Sequence, residues 1–205
     1  MARNTLAPWA EVVPEAGPMT IGELLALPDD TRWRYELVEG RLVRMPASGF
    51  EASNIEVDLA GALRAFVKPR GLGRVTGSDG TYNLTQPGDP GDTGLVPEVA
   101  FVAADRLPPR DSPAYTKALA LAPDLVAAVV SPSQFRPEMA DKALRYLAAG
   151  VQWVWIIWPT YRHVDVWRPD AAGAPHMLAT LGPGDALKGL DVLPGFTYPL
   201  ADLFA

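Results

Sequence analysis

The 205-residue chain contains no cysteine, which excludes disulfides, thiolate zinc sites and cysteine nucleophiles. Histidine is almost as scarce. The only two, His163 and His176, fall in segments that read as strands and lack ligand spacing, so a zinc role has little to stand on. No nucleophile-elbow pattern appears, as a Ser-His-Asp hydrolase would need. No glycine-rich loop runs from a strand into a helix, the arrangement that cradles phosphates. No apolar run approaches the roughly 20 residues of a membrane span. Residues 1–18 lack the continuous apolar stretch of a secretory signal. The expectation is a cytoplasmic protein with no membrane partner and no small organic cofactor. Positive charge is also short: 18 Lys and Arg stand against 24 Asp and Glu, a net charge of −6. A protein that coats nucleic acid by neutralising phosphates needs the opposite balance. An enzyme with a local basic rim and metal ions offsetting its acids remains compatible.

What is present suits one domain. Apolar residues make up 48% of the chain, enough for a sizeable core, and the length fits a single unit over 19–205 behind an N-terminal arm, 1–18. The 21 prolines and 18 glycines cluster between apolar runs and predict stiff loops. Thr20 and Glu23 have capping-box spacing for a short helix carrying Ile21, Leu24 and Leu25, ended by Pro28-Asp29-Asp30. Residues 34–45, RYELVEGRLVRM, alternate about Glu39-Gly40 as a β-hairpin. Ile55, Leu59, Leu63 and Phe66 recur at helical spacing over 51–67, and Pro69 and Gly71 stop that helix. Strands follow over 74–84 and 95–103, then a proline-rich loop to Pro123. Residues 125–130, LVAAVV, are apolar on both faces and predict a central strand. A helix over 137–149, with Pro137 in its first turn and Gly150 past its end, precedes strands 152–158 and 163–168. The remainder reads as short strands and a terminal turn. The order predicts an α/β (α+β) fold, a mixed central sheet flanked by helices.

Glu98 stands out because Val96, Ala100 and Val102 share its face in an extended chain, and an unpaired buried carboxylate is costly. It is a candidate metal ligand; the ordinary alternative is an edge strand with Glu98 in solvent. On the helix at 137–149, Lys142 and Tyr146 lie one turn apart. Spacing alone favours a Glu138–Lys142 surface pair there, worth a few tenths of a kcal/mol. The tryptophans at 153, 155, 158 and 167 alternate in strands and suit a core or a subunit contact better than base stacking. Arg32, Arg34, Arg41 and Arg44 give the hairpin a basic side, ordinarily a solvated face and alternatively a phosphate contact.

The hairpin RYELVEGRLV, the strand VPEVAFV, the strand-turn PDLVAAVVSPS and the block KALRYLAAGVQWVWIIWP occur in register over about 19–168. Together they resemble the Uma family of bacterial restriction-endonuclease-like proteins, whose fold is similar to that of PD-(D/E)xK nucleases. The resemblance implies a Mg²⁺-dependent DNA endonuclease. It places the family's metal-binding aspartate on Glu98, after Pro97, its helix lysine on Lys142 and its hairpin glutamate on Glu36. It also implies two departures: the second acidic ligand falls on Ala128, and a histidine frequent at the start of the long helix falls on Ala52. Glu98, Lys142 and Glu36 are then the candidate catalytic residues, with Glu98 and Glu36 as metal ligands. Hydrolysis would need an activated water in line with the leaving oxygen and charge stabilisation on the phosphate, with Mg²⁺ held by carboxylates and waters and a lysine near the developing charge. Asp124 shares the face of Ala128 but lies roughly 13 Å away at strand rise, too far to replace it. Asp79 is an alternative acid for a displaced site. Two expectations follow: an endonuclease with weak or lost Mg²⁺ binding, or a catalytically inactive binding or assembly protein on the same scaffold, homodimeric through the Trp-rich strands.

Overall fold

The computed structural model describes residues 6–28, 32–132 and 134–205. The expected helix stop at Asp29-Asp30, Ser133 of the small-polar turn and the first five residues of the arm lie outside these. The arm segment is docked from its described start: Ala7 and Trp9 are buried, and β1 (Glu11–Val12) pairs with the hairpin. The capping box at Thr20 forms as expected and opens α1 (Ile21–Leu25). β2 (Trp33–Val38) and β3 (Arg41–Pro46) make the hairpin. Its two-residue turn puts both Glu39 (φ 52°) and Gly40 (φ 75°) in the left-handed region, which matches the twist of the strands. α2 (Phe50–Val67) then buries Ile55, Leu59 and Leu63.

Two expected strands are each divided between two sheets. The segment expected at 74–84 becomes β4 (Gly73–Thr76) and β5 (Tyr82–Asn83), and that expected at 95–103 becomes β6 (Gly94–Leu95) and β7 (Val99–Ala103). The breaks fall at Gly77–Gly80 and at Pro97-Glu98. Glycine gives no side chain to a ladder and proline no N–H, so the chain leaves one sheet at these points and enters the other. β8 (Leu125–Val129), α3 (Arg136–Ala148), β9 (Trp153–Trp158), β10 (His163–Pro169) and β11 (Pro175–Leu181) follow. A small terminal unit holds β12 (Ala186–Lys188), β13 (Thr197–Pro199) and α4 (Leu200–Leu203).

The larger sheet has the order β11-β10-β9-β8-β7-β4, the smaller β1-β3-β2-β6-β5. The larger is mixed, because β8 and β9 are parallel while its other pairs are antiparallel. α3 supplies the crossover that a parallel pair needs. β8 sits inside the sheet between β7 and β9 and is buried along its whole length, as its two-sided apolar pattern predicts. One face carries α2 and the C-terminal Leu200, Leu203 and Phe204. The other carries α3 and the inner face of the small sheet, including Val38, Val43 and Leu95. Trp153 and Trp155 fill the first core and Trp158 the second, with Trp167 partly buried against it. The three buried rings are therefore core, and the subunit contact expected through them is closed. Among the described residues no helix is long and apolar enough to cross a membrane.

Candidate active site

Three elements converge where the two sheets meet under α3. β2 alternates, so Leu37 faces α1 while Glu36 and Val38 face the common core. The chain crosses between sheets at Glu98. α3 presses its buried stripe of Met139, Lys142, Ala143 and Tyr146 onto the same place. Glu36, Glu98 and Lys142 are all buried.

Glu36 is fully enclosed. Its Oε1 accepts from Lys142 Nζ at 3.2 Å and from Val96 N at 3.0 Å, and its Oε2 accepts from Trp9 Nε1 at 3.1 Å. Glu98 Oε1 accepts from Arg34 Nη2 at 2.8 Å, and its Oε2 from Val129 N at 3.3 Å. The expectation of an edge strand with Glu98 in solvent is overturned, since both sheets enclose it. The Glu138–Lys142 surface pair is also absent: Lys142 turns inward to Glu36, and Glu138 Oε2 instead accepts from Phe135 N at 2.9 Å, closing the start of α3. Glu98, Lys142 and Arg34 line one recess of about 30 Å³ with Trp9, Met45 and Gln134. That is room for a water molecule and far below the size of a substrate pocket.

Arg34 and Trp9 are the residues that sequence reasoning misses in this role. Arg34 stands two residues before Glu36, so period-2 alternation puts both on one face of β2. That signal is present in RYE, but a solvated hairpin is the simpler reading. Burial works against the Arg34 charge; the charge and hydrogen bond of Glu98 outweigh it, and the guanidinium is held above its ordinary range. Trp9 carries no periodic signal in a segment without repeats. Tyr146 lies close enough to feel the same charges. Complete burial, with Glu36 and Glu98 nearby, pushes its hydroxyl well above the usual tyrosine range, so it stays neutral.

The other singled-out residues lie elsewhere. Ala128 is buried in the α3-side core and offers only a methyl. Asp79 is exposed and lines a different recess with Thr76 and Gly80. Asp124 bonds Arg106, Ala103 N and Gln152 at the far end of the sheet. His163 packs between Trp158 and Tyr161. Of the basic hairpin side, Arg44 pairs with Glu11 and Arg34 turns into the site.

A family described as Uma2, "Putative restriction endonuclease", matches residues 21–201. The chain belongs to this family. No curated protein sequence matches it. Among solved structures, the crystal structure titled "putative nuclease belonging to DUF820", from Anabaena variabilis ATCC 29413, is similar with a TM-score of 0.71 and 23% identity, over 91% of this chain and 98% of that one. The Uma2 fold is thus the fold here, a mixed α+β nuclease fold.

The divalent ion that such a family implies does not fit the residues present. Mg²⁺ wants six oxygens in octahedral array, several of them waters. Among the described residues two carboxylates reach this centre, and Arg34 and Lys142 already balance their charges. Arg34 Nε and Nη1 and the Tyr146 hydroxyl are buried without a hydrogen-bond partner among the described residues. The unmet demand is therefore largely for an acceptor, the opposite of what a cation brings. Among the described residues no group of three or more His, Asp or Glu could hold a metal ion. What the arrangement can do is hold a buried, neutral network of two carboxylates and two cations.

Proposed function

We propose that this Uma2 protein descends from Mg²⁺-dependent DNA endonucleases of the PD-(D/E)xK type and that its own phosphodiesterase site is impaired. One observation carries the reading: the Arg34 guanidinium is bonded to Glu98, and the neighbouring place for a second acid is the methyl of Ala128. In this reading Glu98, Glu36 and Lys142 are the remnants of ligands and catalytic lysine, now joined as ion pairs. Losing one direct ligand costs roughly 10²-fold or more in rate, about 3 kcal/mol in barrier. DNA stays a candidate partner through the scaffold, and a cytoplasmic location belongs to the same reading.

The test is cleavage of supercoiled plasmid with Mg²⁺ or Mn²⁺ by the wild type, Glu98→Ala and Lys142→Ala. The expected result is no nicking above background in any of the three. Robust wild-type cleavage that both substitutions abolish would overturn impairment and restore an active enzyme at these residues. Cleavage that survives both would remove the site altogether.

A second reading, a non-catalytic binding or assembly protein acting as a homodimer, draws support from β11. It is the outer strand of the large sheet and exposes Met177 and Leu178, with no Lys, Arg, Asp or Glu in PHMLATL. Unpaired edges without charge invite pairing with another strand, and an antiparallel self-pairing is closed by a two-fold axis. Sedimentation of the wild type against Leu178→Lys separates the outcomes: a dimer that dissociates supports it, and a wild-type monomer ends it.

A further inference from the structure

Away from the Glu98 centre, the β4 edge of the large sheet carries a recess of about 530 Å³ lined by Arg64, Lys68, Arg74, Arg110, Val75 and Tyr115, among others. No acidic residue lines it, and none of its four cations makes an ion pair among the described residues. All four are exposed. In a chain of net charge −6, four unpaired positive groups around one concavity are a departure from the average surface. The favourable field at a helix C-terminus accounts for Arg64 and Lys68 at the end of α2. It does not account for Arg74 on β4 or Arg110 in the loop after β7. Arg64 and Lys68 also stand at i and i+4, where like charges cost stability. Fold stability is therefore a poor explanation of the cluster.

A second recess of about 440 Å³ adjoins it, sharing Arg74 and Tyr115. Its walls are different: Val102, Leu107 and Leu119 are apolar, Thr76 and Thr116 offer hydroxyls, and Asp79 and Lys117 add one charge of each sign. Each recess has the volume of a small-molecule site. One side supplies cations for a polyanion, the other an apolar and hydroxyl-bearing wall, and the Tyr115 ring stands between them.

We infer that these joined recesses bind a nucleoside di- or triphosphate, with the phosphates against Arg64, Lys68, Arg74 and Arg110 and the nucleoside on the Tyr115 side. Charge-assisted bonds from arginine fork geometry suit phosphate oxygens, and an aromatic ring suits a base. No glycine-rich loop is needed, because side chains from α2, β4 and the loop after β7 supply the donors. The site is separate from Glu98: Arg74 pairs opposite Val102, four residues and about 13 Å along the chain from that glutamate. The inference therefore stands whether or not the nuclease reading holds.

Titration calorimetry on the full chain with ADP, pyrophosphate, adenosine and a 5′-phosphorylated oligonucleotide tests it. ADP is expected to bind saturably, about tenfold more tightly than pyrophosphate, with no detectable adenosine binding. Arg64→Glu and Arg110→Glu, both at exposed positions, should each weaken ADP about tenfold or more. Arg162→Glu, at a distant turn, should change nothing. Tyr115→Ala should remove the advantage of ADP over pyrophosphate and leave pyrophosphate binding intact. Absence of saturable ADP binding, unchanged affinity in both charge reversals, or equal weakening by Arg162→Glu would overturn the site. Pyrophosphate binding as tightly as ADP, or an oligonucleotide binding more tightly, would overturn the nucleotide as its ligand.

Discussion

Lys142 and Glu36 illustrate how far a buried pair depends on both partners. Among the described residues Glu36 loses its one ammonium partner in Lys142→Met and is left with the Trp9 and Val96 donors. Removing one side of a buried ion pair costs about 3–5 kcal/mol, so thermal or denaturant unfolding should shift by that amount. The double variant Glu36→Gln/Lys142→Met should recover part of it, because the stranded charge is gone; a double variant as unstable as the sum of the two singles would refute the coupling. The same reasoning governs Ala128. Ala128→Glu alone places a third carboxylate beside a neutral network. Combined with Arg34→Met, it leaves Glu98 and the introduced carboxylate with no guanidinium between them, and divalent-ion binding should then appear by calorimetry where the wild type shows none. If the double variant folds and binds no ion, the centre has departed from its ancestry at further positions. Glu36, Glu98 and Lys142 can be singled out from four segments in register. Their pairing cannot, because Arg34 joins Glu98 across 64 residues and Lys142 joins Glu36 across 106.

The elements themselves show why strand lengths read too long from the sequence. Residues 74–84 and 95–103 each read as one strand because apolar residues stand at both ends, yet each stretch serves two sheets. The boundaries fall at Gly77–Gly80 and Pro97-Glu98, where the sequence marks an interruption but not that the chain changes sheet there. Gly73 shows how closely β4 is seated against β7. A Cβ there would lie 2.0 Å from the Val102 carbonyl oxygen, at a φ of 156°. Gly73→Ala should therefore cost about 3 kcal/mol or more and loosen the β4–β7 edge, measurable as earlier unfolding together with faster amide exchange at Val75 and Phe101. A neutral result would mean that β4 can move without cost. Helices are more legible. α2 and α3 begin and end within a residue of the expected 51–67 and 137–149, and the stripe of α2 marks its buried face, whereas spacing on α3 predicts Lys142 at the surface.

The molecule should unfold as one unit. Residues 19–205 hold cores on both faces of a single shared sheet, so calorimetry is expected to give one cooperative transition, and two separable transitions would divide the proposed domain. Tyr146 is expected to contribute to its alkaline limit. The folded state keeps this hydroxyl protonated above the ordinary tyrosine range, while the unfolded chain releases the proton near pH 10. The folded state then binds more protons, so stability is intact below about pH 10 and declines as the pH rises above it. Tyr146→Phe should flatten that decline, and an unchanged alkaline profile would remove Tyr146 as its cause. Four segments in register carried the family resemblance, and composition and pattern were enough for the mixed sheet between helices and the want of thiolate chemistry, because those two depend on residue types and short-range periods. Tertiary structure alone decided that Glu98 faces an arginine rather than an open ligand position, that the buried tryptophans are core, and that four cations meet at one recess. Each of these is a contact between segments far apart in the chain, and no local period records which distant side chain will arrive beside which.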